Sequence, residues 1–239
     1  VLPSFLKDDY GHQEVNLNLG CPSGTVTAKG KGAGFLAEPQ KLDQFLDQIF
    51  SKLDMKISIK TRIGTHYEED WEYLLAIYEK YPIHELIIHP RIQTDMYRGV
   101  PRLGAYEKAV NRLKMPLCYN GNLFSAADYK RITERFPDTC CFMYGRGLIT
   151  NPGLVTEIRE GIRPNKKTVR EFHDCLFEEY RELLSGERNV LFRMKELWSY
   201  MAVNFTNYEK YAKKIKKSQH LSEYSSVVSS LFAEQDLID

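Results

Sequence analysis

Asn16-Leu17-Asn18-Leu19-Gly20-Cys21-Pro22 reads as a strand that runs into a turn. Val15, Leu17 and Leu19 alternate with Asn16 and Asn18, so one face is apolar and the other carries two amides. Gly-Cys-Pro then ends the strand and presents one thiol there. Strand ends that feed loops are where α/β enzymes place chemistry. A free thiol is by default a small hydrophobe, so this stretch takes its meaning from what the rest of the chain repeats.

The pattern does recur. Strand-like runs follow at Lys56–Arg62, Glu85–His89, Pro116–Asn120 and Cys140–Gly145. Helical patterns lie between them. Leu42, Phe45, Leu46, Ile49, Phe50 and Leu53 recur at helical spacing behind Pro39, and Trp71, Leu74, Leu75, Tyr78 and Tyr81 do so after the second strand. Ala105–Leu113 forms a third helix, and Ser125 is placed to cap a fourth over Ala126–Phe136. Alternating strands and helices predict βα units and a parallel sheet. Strand starts roughly 25–40 residues apart suit one βα unit each of a (β/α)₈ barrel, although spacing alone does not separate a barrel from a doubly wound sheet. No GxGxxG follows any strand, which weakens the dinucleotide-binding alternative.

Arg163-Pro164-Asn165-Lys166-Lys167 reads as a polar linker, with no convincing strand beyond it. Three apolar stripes follow, led by Phe172, Met194 and Leu221, and they predict a helical domain of about seventy residues. The expected division is 1–162 and 163–239. Lys213-Lys214-Ile215-Lys216-Lys217 gives the second part a local positive cluster, although the formal net charge of the 239 residues is only +1. The chain is 43% hydrophobic, enough for a sizeable core. Five cysteines without CxxC spacing read as reduced thiols in a cytoplasmic protein, neither a disulfide framework nor a zinc site. No apolar run approaches a membrane span, and no signal peptide is evident.

Each strand ends in residues that packing alone does not require. In Ile57-Ser58-Ile59-Lys60-Thr61-Arg62 the polar residues share one face, which in a barrel is the lumen. Lys60 is then a cation at the site mouth, suited to an anion or an electron-rich ring. The third strand ends His89-Pro90-Arg91, where the imidazole can donate to a cofactor or serve the structure. The fourth ends Asn120-Gly121-Asn122, either a hairpin turn or, given the capped helix behind it, a βα loop. The fifth ends Gly145-Arg146-Gly147, with Asn151-Pro152 beyond; glycines there let backbone N–H groups approach a phosphate, beside an arginine.

These motifs, in this order, resemble the tRNA-dihydrouridine synthases, flavin-dependent TIM-barrel reductases with a C-terminal helical domain. The resemblance runs from Glu14 to Phe205. It rests on Asn18–Pro22 with Gly32-Ala33, Ile59–Gly64, His89-Pro90-Arg91 with Tyr97-Arg98-Gly99, Asn120–Asn122 and Gly145–Gly147, with Arg193 and Trp198 in the helical part. It implies that Cys21 protonates C5 of uracil while reduced FMN delivers hydride to C6. It implies that Asn18 holds the uracil edge and that Arg91 contacts substrate or flavin. Lys60 and His89 would contact FMN, and Asn120, Gly121, Asn122, Gly145 and Arg146 would bind its phosphate. NADPH would be the reductant, tRNA the partner gripped by the helical domain, and the protein a monomer without a metal.

The family has Gly at Pro90, Thr at Ile92, usually Gln at Asp95 and Asp at Asn122. It also has three barrel strands ahead of the Gly-Cys-Pro strand. The chain is therefore expected to be the C-terminal portion of a longer protein: five or so βα units of the barrel, then helices. Two other readings are a dihydroorotate dehydrogenase-like FMN enzyme, disfavoured by the basic helical part, and a non-catalytic RNA-binding protein with a degenerate flavin site.

Overall fold

A computed structural model describes residues 2–238. It opens with helix α1 (Leu2–Asp8) and strand β1 (Glu14–Leu19). A short α2 (Gly24–Thr27) and a 3₁₀ segment (Gly32–Ala37) lead to α3 (Pro39–Lys52), then β2 (Lys56–Arg62), α4 (Asp70–Tyr78) and β3 (Glu85–His89). A 3₁₀ turn (Gln93–Asp95), α5 (Leu103–Arg112), β4 (Leu117–Tyr119), α6 (Ala126–Arg135) and β5 (Cys141–Phe142) follow. The remainder is helical: α7 (Arg146–Thr150), α8 (Leu154–Glu160), α9 (Lys166–Leu183), α10 (Glu187–Met201), a 3₁₀ segment (Ala202–Asn204), α11 (Tyr208–Lys217) and α12 (Leu221–Glu234).

The expected strands Glu14–Leu19, Lys56–Arg62 and Glu85–His89 are all formed with those bounds. The last two are shorter: the expected 116–120 contracts to Leu117–Tyr119 and the expected 140–145 to Cys141–Phe142. Just beyond them Asn120 N still donates to the Ile88 carbonyl at 3.0 Å and Met143 N to the Tyr119 carbonyl at 2.9 Å, and the Asn120 side-chain amide donates to the Met143 carbonyl at 2.8 Å. Asn-Gly here is not a hairpin turn, because β4 and β5 are parallel.

All neighbouring strands pair in parallel, in the consecutive order β1-β2-β3-β4-β5. A doubly wound sheet reverses direction at a switch point; the described strands contain no such reversal. The register aligns side chains of one face across the sheet. Asn16 stands beside Ser58, Asn18 beside Lys60 and Arg62 beside His89, while Lys60, Ile87, Cys118 and Cys141 form one row. The opposite face packs on helices. There Thr61 bonds Tyr78 at 2.9 Å, and Tyr106 packs edge-on against Tyr119 and Phe136. Trp71 donates to the Ala105 carbonyl at 2.8 Å, tying α4 to α5.

The chain divides into two compact units, residues 1–122 with 132–143, and residues 123–131 with 144–239. The linker reading put the boundary at 162/163; by contacts α7 and α8 group with the helices after them. Part of the supposed linker is already ordered. Gly161 closes α8 in a left-handed conformation, and the Asn165 side chain caps α9, accepting from Thr168 N at 3.0 Å.

The second unit has its own core around Val190, Met194, Trp198, Phe205, Tyr224 and Leu231. Trp198 Nε1 donates to Tyr224 Oη at 2.7 Å, and Tyr224 meets His173 Nε2 at 2.6 Å. His173 Nδ1 lies 2.8 Å from Asp174. Burial holds the His173 imidazole below its ordinary pKa, against the pull of Asp174. Trp198 is therefore a core anchor, whereas Arg193 is exposed and pairs with Glu196 at 3.1 Å. No helix among the described residues is long and apolar enough to cross a membrane.

Candidate active site

The C-terminal ends of β1, β2, β3 and β4 bring Asn18, Cys21, Lys60, His89, Arg91 and Asn120–Asn122 into the first unit. The Asn18 side-chain oxygen accepts from Gly20 N at 3.1 Å and from Cys21 N at 3.0 Å. The amide thus caps the turn that carries the thiol, a local Asx device. Its donor nitrogen, Nδ2, is not used by that turn. On the far side of the thiol the Cys21 carbonyl accepts from Ala33 N at 2.9 Å. The chain passes so close there that a Cβ on Gly32 would lie 2.7 Å from the Cys21 carbonyl oxygen, and Gly32 has φ +57°. Only glycine suits that position.

Lys60 sits beside Asn18 on the polar face and is mostly buried. Burial, then the neighbouring Arg62, lowers its pKa from 10.5 to about 8, with smaller opposing effects from Cys118 and Cys21. No acidic side chain pairs with it among the described residues. Arg62, two residues on, is 1% exposed and fully engaged. It donates to the carbonyls of Gly20 at 3.1 Å, Ile92 at 2.9 Å and Met96 at 2.7 Å, and its guanidinium lies under the Tyr97 ring. It joins the Cys21 turn to the loop after β3.

Arg91 is the matching staple of that loop. It has no exposed surface. It donates to His89 Nε2 at 3.0 Å, to the carbonyls of Arg98 at 3.1 Å and Gly99 at 2.5 Å, and to Asn122 Oδ1 at 3.2 Å. A guanidinium only donates, so His89 Nε2 accepts and the ring proton is assigned to Nδ1. The Asn122 backbone is left-handed, φ +42°, a conformation asparagine tolerates. A Cβ on Gly121 would meet Pro101 at 3.2 Å, a tight fit. The Asp95 carboxylate accepts from Ile92 N at 3.1 Å and pairs with Arg102. Burial pushes its pKa up, but Arg102, the Ile92 N–H and Arg91 together outweigh that and hold it below its ordinary value. Two of the four departures from the family, Asp95 and Asn122, therefore have local partners.

Gly145 and Arg146 lie in the second unit. Gly145 precedes α7, and the Arg146 guanidinium lies 5.4 Å from the Phe124 ring centroid. Gly147 is obligatory, since a Cβ there would fall 1.9 Å from the Leu123 carbonyl oxygen.

Sequence reasoning gave no role to Arg62, Gly32 or Asp95. Arg62 was visible as the third polar residue on the Lys60 face. Gly32 stood in a motif without an evident partner. The Asp95–Arg102 pair had no signal, because the two meet only when the loop folds back.

The family model described as Dihydrouridine synthase (Dus) matches residues 5–234. The chain is 28% identical over 149 residues to tRNA-dihydrouridine synthase B of Pasteurella multocida (strain Pm70), covering 61% of this chain and 44% of that protein. It is 27% identical over 241 residues to the probable tRNA-dihydrouridine synthase 1 of Synechocystis sp. (strain ATCC 27184 / PCC 6803 / Kazusa), covering 96% and 63%. It is 27% identical over 198 residues to the tRNA-dihydrouridine(20/20a) synthase of Vibrio cholerae serotype O1 (strain ATCC 39315 / El Tor Inaba N16961), covering 76% and 60%. The chain thus spans about half to two-thirds of the length of these relatives. With a family match over nearly all its residues, the chain belongs to the dihydrouridine synthase family.

Proposed function

We propose that this chain supplies the proton donor and much of the flavin site of a tRNA-dihydrouridine synthase, which reduces the C5–C6 bond of uridine in cytoplasmic tRNA. One observation carries the reading. The Cys21 turn is fixed on the polar face by Asn18 and Arg62, beside a mostly buried Lys60 that faces no acid. The consecutive parallel order of the strands supports placing them in a (β/α)₈ barrel.

The residues fit FMN. A buried cation without a counter-ion suits an electron-rich ring or its anionic form. Arg91 sets the proton of His89 on Nδ1, the donor side of the ring. At Gly121 a Cβ would press on Pro101, and Asn122 has a left-handed backbone, so Gly and Asn suit the turn.

FMN held by these residues and reduced by NADPH would supply the hydride for C6 of the uracil. Cys21 Sγ–H gives its proton to C5 and recovers one from solvent. A positioned general acid contributes typically about 10²–10⁴-fold. The Asn18 oxygen is engaged by the turn, so its Nδ2 is the donor offered to a uracil carbonyl. Arg91 is wholly buried; it acts by positioning His89 and Asn122, which are read as flavin contacts. The uridine must leave its stack to reach a strand-end site, so the tRNA is bound with the base flipped. The helices from residue 163 on, with their exposed lysines, would grip the tRNA by shape and phosphate contacts.

The test is mass spectrometry of tRNA incubated with the purified flavoprotein and NADPH. Uridine should gain two hydrogens. Cys21→Ala should keep flavin absorbance and tRNA binding while losing the reduction. Full activity in that variant would remove Cys21 from the chemistry. A colourless protein that cannot be loaded with FMN would favour a non-catalytic RNA-binding role.

A further inference from the structure

The polar face holds a second cluster below the proposed flavin site. Cys118 of β4 and Cys141 of β5 are direct register partners, and Glu85 opens β3 two residues before Ile87, the partner of Cys118. One ligand atom from each, a carboxylate oxygen and two sulfurs, all lie within 4.8 Å of one another. Cys118 is buried, and Glu85 and Cys141 are partly exposed. The proposed flavin chemistry uses none of the three.

We propose that Glu85, Cys118 and Cys141 bind a thiophilic divalent cation of the zinc class. Two thiolates with a carboxylate select zinc-like ions over magnesium or calcium, which take oxygen ligands. Around tetrahedral zinc, at Zn–S about 2.3 Å and Zn–O about 2.0–2.2 Å, neighbouring ligand atoms stand roughly 3.3–3.8 Å apart. The three ligand atoms already lie within 4.8 Å of one another, at most about 1 Å beyond the upper end of that spacing. The ligands sit on three adjacent strands, so the backbone is already in place. Binding displaces the two thiol protons to buffer and makes two metal–sulfur bonds and one metal–oxygen bond, with no change of oxidation state. Two thiolates and a carboxylate around a dication leave one net negative charge. The sequence could not reveal this site. Its ligands are distant in the chain and have no zinc-finger spacing; strand register alone brings them together.

The test uses the whole chain, reduced and stripped with a chelator, then titrated with Co²⁺ as an optical stand-in and with Zn²⁺ in competition. One equivalent of Co²⁺ should give thiolate-to-metal charge-transfer absorption, and Zn²⁺ should displace it. Cys118→Ser and Cys141→Ser should lose that absorption. Glu85→Gln should weaken binding by at least the ~10–100-fold that even outer-shell changes cost. Cys140→Ser and Cys175→Ser, at exposed thiols, should bind as the parent does. If Cys118→Ser fails to fold, the partly exposed Cys141 and Glu85 variants decide, each checked by circular dichroism. The proposal is overturned by the absence of a thiolate band in the reduced parent. It is equally overturned by a band that survives Cys141→Ser in a folded protein, or by a Cys118–Cys141 disulfide whose reduced form takes up no metal.

Discussion

Arg62 and Arg91 at the strand ends and Lys60 two residues earlier are cations of one polar surface, yet they are held in opposite ways. Both arginines are buried and surrounded by acceptors: Arg62 meets three backbone carbonyls, and Arg91 meets two carbonyls, an imidazole nitrogen and an amide oxygen. Lys60 is mostly buried with no acid opposite, and its pKa falls to about 8. The contrast separates groups that build the site from a group left for a ligand. Guanidinium suits the first task, because a planar fork can satisfy several fixed carbonyls at once. A lysine whose charge is strained by burial suits the second, because a bound anion or electron-rich ring relieves that strain.

The sharpest way to break this comparison is Arg62→Met. It strands the carbonyls of Gly20, Ile92 and Met96, and each buried unpaired acceptor costs about 1–3 kcal/mol. The expected loss is several kcal/mol by chemical denaturation. Arg62→Lys should not restore it, since an ammonium cannot reach three divergent carbonyls. A loss below about 1 kcal/mol would mean that the loops hold without the staple.

Lys60→Met should act with the opposite sign in the flavin-free protein. Removing an unpaired buried charge raises the denaturation midpoint at pH 7. The pH dependence follows from the lowered pKa. Below about 8 Lys60 is protonated whether folded or unfolded, and its penalty is constant. Between about 8 and 10.5 the unfolded chain binds more protons than the folded one, so parent stability rises with pH through that window. Lys60→Met should lack that rise and should also bind FMN more weakly. A parent whose stability shows no Lys60-dependent rise in that window would mean that the ammonium is well solvated.

Asn18 tests the comparison on a smaller scale. Asn18→Ala removes one oxygen shared by two backbone N–H groups and should cost about 1 kcal/mol. Asn18→Asp keeps the acceptor and should restore stability, while placing a carboxylate where the proposed uracil donor stood. A stable but inactive Asn18→Asp would separate the capping task from the substrate task; an unstable one would argue against the cap.

How much of this was legible in the sequence follows from the range of the interactions. Strands β1 and β2 declare themselves by local alternation over six and seven residues, and β3 by a short apolar run. β4 and β5 are shorter than the runs read from the sequence, although the ladder bonds continue one residue further, from Asn120 N to Ile88 and from Met143 N to Tyr119. Lys60 and Cys21 were visible because strand period and a turn are local signals. Arg91 read as a residue near substrate, since nothing local says that Gly99 and Asn122 will close around it. The Glu85–Cys118–Cys141 cluster lay beyond sequence reasoning for the same cause: register, a non-local quantity, assembles it.

The smallest expected effect on stability belongs to cations that nothing holds. Lys213, Lys214, Lys216 and Lys217 of α11 are all exposed, and the buried Tyr211 and Ile215 leave them on the outward face. Lys214, Lys216 and Lys217 lie in the last turn, where a positive charge gains typically about 0.3–1 kcal/mol at low salt from the helix dipole. Changing all four to Gln should therefore cost no more than about 1–2 kcal/mol in total, less in salt. Their larger effect should be on tRNA. Each lysine that neutralises a phosphate releases counterions, so the quadruple variant should bind tRNA more weakly and show a shallower dependence of log affinity on log salt. NADPH oxidation by the flavoprotein should be unchanged. An unaltered salt slope would place the RNA surface elsewhere, and exposed lysines would then form a third kind of cation here, neither staple nor ligand contact.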